Sequence, residues 1–228
     1  MRETIRQQGL RFRGDWRVRA YEPIRIVDPQ EAAAILRRID VRAVVAETVP
    51  LSAMRQILAL ADRADRFARR QLERLLVGGG LKWADGFANL VVDAGVNHIL
   101  DVGLSAGSQT ATWYLGLTDG TPTVAAGDTM ASHVGWSEVT AYDEAARQAF
   151  SDGGVSGKSL DNAASPATFT ISANGTTVGG AFLTDTATKG GATGTLYAAG
   201  AFSAGDKSLD DNDTLDVTAT YTGADDGA

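Results

Sequence analysis

The chain has 228 residues, 44% of them hydrophobic, no cysteine and a formal net charge of −7. That composition excludes global disorder and any disulfide framework, and no run of about 18 apolar residues marks a membrane-spanning helix. The charge is unevenly divided: residues 1–80 carry 16 arginines, no lysine and 10 acids, whereas residues 81–228 carry five basic residues and 18 acids. A basic part and an acidic part of one chain are expected to face different surroundings. The opening MRETIRQQGLRFRGDWR lacks the apolar stretch of a signal peptide, and the absence of cysteine fits assembly in the cytoplasm.

In chain order, residues 1–21 interleave arginines with aromatics. Arg17–Val18–Arg19–Ala20–Tyr21 alternates as an extended arm or edge strand would. Asp28 is a good N-cap, Pro29 suits the first helical position and Glu31 completes a capping-box spacing, so a helix is expected to run to about Arg38. Residues 41–47 read as a strand. From Thr48 and Pro50 one longer amphipathic helix is expected. Its apolar stripe is Leu51, Met54, Leu58, Ala61, Ala68, Leu72 and Leu75, and Gly78–Gly80 ends it as a hinge.

Beyond the hinge, residues 82–92 read as a strand or turn and Asp93–Val102 as a short helix. Strands are then expected at 110–117, 136–142, 146–150, 168–173, 176–183, 194–202 and 214–222. Asn174–Gly175 serves as a hairpin turn between 168–173 and 176–183. In the last strand Leu215, Val217, Ala219 and Tyr221 should point inward. Regularly spaced short strands favour an antiparallel β-sandwich, Ig-like or jelly-roll-like.

Residues able to do chemistry are sparse after residue 80. Gly153–Ser159 looks like a phosphate loop, but Asp152 stands where its first glycine is required, so a glycine-rich turn is the better reading. His98 and His133 are the only histidines, too few for an ordinary zinc site. Asp210, Asp211, Asn212, Asp213 and Asp216 suggest calcium. Counted from Asp210, however, Leu215 and Tyr221 occupy the two key EF-hand positions, which leaves a looser oxygen site or a solvated turn. Trp113, Trp136 and Tyr142 would stack on sugar if exposed together, and would be scaffold if buried. The candidate partner-binding residues are Arg2, Arg6, Arg11, Phe12, Arg13, Trp16, Arg17, Arg19 and Tyr21. Arginines of this kind suit an acidic protein surface better than nucleic acid.

An ordered series of segments carries a resemblance. It runs Asn89–Val92, Gly95–Asp101, Trp113–Leu117, Asp128–Glu138, Thr140–Tyr142 and Arg147–Phe150, then Ala181–Leu183, Lys189–Gly191, Gly194–Tyr197 and Asp213–Thr218. Over about residues 82–222 the chain resembles tailed-bacteriophage virion structural proteins of the capsid-decoration or fibre-like kind. The resemblance implies a virion protein without catalytic residues or cofactors.

The expectation is therefore an α+β protein. Residues 1–78 form a mainly helical basic anchoring region, and residues 81–228 an acidic antiparallel β-sandwich. Its expected role is non-enzymatic: a homo-oligomeric capsid decoration or cement protein that binds the major capsid protein or another virion protein. A tail or fibre-base component and a carbohydrate-binding module are the alternatives.

Overall fold

The computed structural model describes residues 10–43 and 46–225. Its first elements are β1 (Leu10–Tyr21), β2 (Ile24–Ile26), α1 (Pro29–Arg38), β3 (Thr48–Val49), α2 (Leu51–Ala64), α3 (Arg66–Glu73) and β4 (Leu76–Gly78). There follow β5 (Leu81–Val91), α4 (Asp93–Leu104), β6 (Tyr114–Thr118), β7 (Gln148–Ala149), β8 (Ser159–Asp161) and β9 (Ala167–Thr170). The chain ends with β10 (Thr176–Val178), β11 (Gly180–Thr184), β12 (Leu196–Ala201), β13 (Lys207–Leu209) and β14 (Thr214–Asp225). The class is α+β, mostly β, built on one curled antiparallel sheet.

That sheet has nine strands in the order β7-β6-β11-β12-β5-β1-β14-β8, with β9 also paired to β14. β1 is central. It pairs with β14 along its whole length (Leu10↔Asp225 to Tyr21↔Thr214) and with β5 on its other side (Gly14↔Asn89 to Tyr21↔Leu81). An arm or edge strand was the expectation for these residues. The alternation is as read, but both edges are hydrogen-bonded, because Trp16, Val18 and Ala20 are core residues.

The main core lies on one face of the sheet. It joins Trp16 and Val18 to Leu115, Phe169, Leu215 and Val217 among others. A smaller cluster, with Phe182, Leu196 and Ala199, is covered by Met130 and Trp136. The expected strand over 136–142 is therefore irregular chain touching the sheet by isolated bridges, Thr118↔Glu138 and Tyr142↔Ile171. The Asn174–Gly175 turn leads into β10, which pairs with β13, while β9 pairs with β14, so no β9–β10 hairpin forms.

Residues 22–80 build a lobe with its own core, in which Ile24, Ile35, Leu36, Met54, Ile57 and Leu72 meet. A small sheet in the order β3-β2-β4 lies beside α1, α2 and α3. α1 starts as its sequence dictates: the Asp28 carboxylate accepts the Glu31 N–H at 2.8 Å. The long helix expected from Leu51 is broken at Asp65, whose carboxylate caps α3 by accepting the Phe67 N–H at 2.8 Å. Gly78 and Gly79 turn the chain with φ of 102° and 74°, values that favour glycine. The two ends of the lobe meet, since the Glu22 N–H donates to the Gly80 carbonyl at 3.0 Å. The expected division at residues 78–81 is thus crossed by β1, which precedes the lobe in sequence and lies within the sheet of residues 81–225.

Candidate protein-docking face

The outer face of the central strands carries two exposed arginines. Along β1 side chains alternate between faces, so Trp16, Val18 and Ala20 enter the core while Arg17 and Arg19 point out. Opposite them on β5 stand Gly86 and Ala84, and on β14 Thr218 and Asp216. These short neighbours leave both guanidinium groups uncovered. Neither makes a hydrogen bond or ion pair with a described residue. Two like charges on alternate residues of a strand, about 7 Å apart, repel by only about 0.6 kcal/mol at the dielectric of bulk water, so the pair is tolerated in the free protein.

Arg17, Arg19 and Tyr21 line a cleft of about 160 Å³ with Ala163, Pro166, Asp216 and Thr218. α2 extends this basic surface. The Arg55 guanidinium lies 5.3 Å from the Tyr21 ring centroid and donates from Nη1 to Asp216 Oδ2 at 3.1 Å. Asp216 Oδ1 accepts the Thr168 hydroxyl at 2.7 Å, so the carboxylate is held on both oxygens. A further polar contact joins lobe and sheet, Ser52 Oγ to Thr170 Oγ1 at 3.1 Å. The cleft is a hydrogen-bonded surface with two uncommitted guanidinium groups, suited to planar recognition of carboxylates.

Of the nine residues expected to bind a partner, Arg2 and Arg6 lie outside the described residues. Arg11, Phe12 and Arg13 sit on β1 at register positions opposite Ala224, Gly223 and Thr222. Trp16 occupies the core at 1% exposure, edge-on to Phe87 and Tyr221 at 5.7 and 6.2 Å. Arg17, Arg19 and Tyr21 come together in the cleft. Arg55 completes the surface and was not singled out in the sequence. It is one of two arginines on α2, with Arg63, and only the docking of α2 against β14 distinguishes it.

The remaining candidates have other partners. Asp213 is buried and accepts Lys82 Nζ at 2.7 Å, and Asp216 is bound by Arg55 and Thr168. Two of the four carboxylates considered for calcium are thus committed to protein donors, and the described residues hold no cluster of three or more metal-ligand side chains. Gly153–Ser159 forms an exposed turn closed by a Ser156↔Ser159 bridge and leads into a strand rather than a helix. His98 packs edge-on to Trp113 at 5.1 Å, and His133 stacks on Trp136 at 3.7 Å. Trp136 and Tyr142 are buried and Trp113 is partly buried, so the three rings form no open patch.

Basic groups of the sheet region serve its loops. Arg147 is buried and grips Glu138 with two bonds, Nε to Oε1 at 2.9 Å and Nη2 to Oε2 at 2.7 Å. It also donates to the carbonyls of Thr186 and Gly191, at 2.9 and 2.7 Å. Lys189 donates to the carbonyls of Tyr142 and Glu144 at 2.8 and 2.7 Å. These bonds join the loops at 138–147 and 184–191. No protein-family model matches the chain, and no curated protein matches it.

Proposed function

We propose that this chain is a non-enzymatic structural protein of a tailed-bacteriophage virion, a capsid decoration or cement protein assembled in the host cytoplasm. It binds an acidic surface of the major capsid protein or of another virion protein. In this reading the helices of residues 29–73 and the basic face of β1 form the anchoring part. The acidic strands project from the particle as an antiparallel sandwich. The observation that carries the reading is the pair Arg17 and Arg19, exposed on a strand hydrogen-bonded at both edges and free of ion pairs with described residues. The segment resemblance over residues 82–222 supports it. So does the use of Lys82, Arg147 and Lys189 as structural ties rather than as a converging reactive group.

The test is co-sedimentation of the full chain with particles that lack it. Arg17→Glu/Arg19→Glu should reduce occupancy by about tenfold or more, the size of a lost charged contact of about 1.4 kcal/mol or more, at an unchanged melting temperature. Unchanged occupancy would remove the basic face as the anchor.

A further inference from the structure

Two helices leave apolar side chains uncovered, three on α4 and one on α3, and the surrounding charges are of opposite sign. On α4 only Gly95 is fully buried. Val96, Leu100 and Leu104 follow at four-residue spacing on the outer side, and Leu104 is 85% exposed. Asp93 and Asp101 lie on the same side, both exposed and without an ion pair to a described residue. α4 carries no basic residue other than His98.

α3 has the reverse character. Ala68 and Leu72 face the lobe core, while Phe67 is 62% exposed. Arg66, Arg70 and Arg74 follow one another at four-residue spacing around Phe67, all exposed and none paired with a described residue. Arg69 is the exception, bound to Asp62 and Glu73. The apolar stripe of α4 (96–104) and the arginine row of α3 (66–74) each cover nine residues, or eight helical steps of about 1.5 Å, about 12 Å, so the two match in length.

We propose that the α3 face of one copy of this chain docks on the α4 face of a second copy. Apolar residues meet at the centre, Phe67 against the Val96–Leu100–Leu104 stripe. Arg66, Arg70 and Arg74 meet Asp93 and Asp101 at the rim. A contact between two different faces is heterologous, so each copy retains one free face of either kind, and the association grows into a ring or an open chain. An α4–α4 contact would instead oppose aspartates, and an α3–α3 contact would oppose arginines. This is why a head-to-tail arrangement is favoured over a two-fold one. Two helix faces bury less than the roughly 1,000 Å² of a standard stable interface, so the contact is weak in solution and strengthens where copies are held side by side. The inference stands independently of the virion reading.

Sedimentation equilibrium of the full chain over a wide concentration range, at low and high salt, provides the test. The parent should form species larger than a monomer, and salt should dissociate them. Leu100→Gln/Asp101→Asn on α4 and Phe67→Gln/Arg70→Gln on α3 should each weaken self-association at least about tenfold, a loss of about 1.4 kcal/mol. All four positions are exposed, so each variant should melt like the parent. Mixed together, the two variants should form a one-to-one pair and nothing longer, because one supplies an intact α3 face and the other an intact α4 face. Should a variant fold poorly, the salt dependence of the parent carries the decision alone. An α3 variant that associates as the parent does would overturn the head-to-tail contact in favour of an α4–α4 one. A parent that stays monomeric at low salt would overturn the proposal and leave the α4 stripe to a different macromolecule.

Discussion

Arg55 of α2 and Asp216 of β14 meet at 3.1 Å, joining the polar side of a lobe helix to the outer face of the central sheet. The two ends differ in exposure: half of the arginine side chain is in solvent, whereas the aspartate is 10% exposed. The aspartate is therefore the partner that suffers when the contact is broken. Asp216 was expected to face solvent by strict alternation along β14, but the docked lobe covers it.

Arg55→Ala should destabilise the protein by about 1–3 kcal/mol, since it leaves a largely buried carboxylate with only the Thr168 hydroxyl as a partner. Chemical denaturation measures the effect. Arg55→Ala/Asp216→Asn should recover part of the loss, and a double variant less stable than Arg55→Ala would show that the ion pair is not the cause.

Cutting the chain at residue 80 should destroy the sheet rather than release it. A fragment 81–228 lacks β1, and with it the core residues Trp16, Val18 and Ala20, and leaves the facing edges of β5 and β14 unpaired. Replacing residues 22–80 by Asn-Gly should instead give a folded protein, because Tyr21 and Leu81 are already paired and a two-residue turn closes such strands. Circular dichroism and amide exchange distinguish the two products: the fragment should lack a cooperative melt and the short-looped protein should show one.

The buried Arg147–Glu138 pair should be costly to break. Arg147→Leu leaves the Glu138 carboxylate, itself 8% exposed, with no cation and the Gly190 N–H as its remaining donor, and deprives the Thr186 and Gly191 carbonyls of theirs. A loss of about 3–5 kcal/mol is expected, with earlier proteolysis in 184–191 as the loop loses two of its anchors. A shift in the denaturation midpoint equivalent to less than about 1 kcal/mol would be typical of an exposed pair and would contradict this role.

Stability should fall above about pH 10. Burial pushes the Tyr197 phenol up from 10.0 to about 12 and raises Tyr221 well above its ordinary value, with the adjacent Tyr197 adding to the effect. A group held protonated in the folded state contributes fully below its unfolded pKa of 10.0. That contribution is lost as pH rises from there through the folded value, because the unfolded chain releases the proton first. Tyr197→Phe should flatten this alkaline limb. Denaturation curves from pH 8 to 12, with tyrosinate absorbance recorded in parallel, check the sign.

Local signals were legible and partners were not. The Asp28 cap, the extent of α4 and the alternation of β1 and β14 follow from residue types within a few positions of one another. The break at Asp65 competes with an apolar stripe that continues across it, and the side chain that caps α3 decides the outcome. β1 looks like an arm because its arginines are conspicuous, while its role as a central strand depends on β5 and β14, far away in sequence. The cleft was legible through Arg17, Arg19 and Tyr21. Arg55 was not, because helix periodicity assigns it to a polar side without saying what that side meets. Trp16 stands among the arginines in sequence, and the two-residue period of the strand sends it to the opposite face.

The pairing of β1 with β14 sets an order of events during synthesis. Val18 faces Val217, so the strand made early must wait for nearly the whole chain before one of its edges is covered. The lobe of residues 22–80 has a self-contained core and can form meanwhile, folding outward from a hairpin whose sheet is still open. Loop closure over so long a span is slow, and an exposed strand edge invites pairing with another nascent chain. Arg17 and Arg19 lie on that strand and point outward, and charge on an open strand edge opposes such pairing.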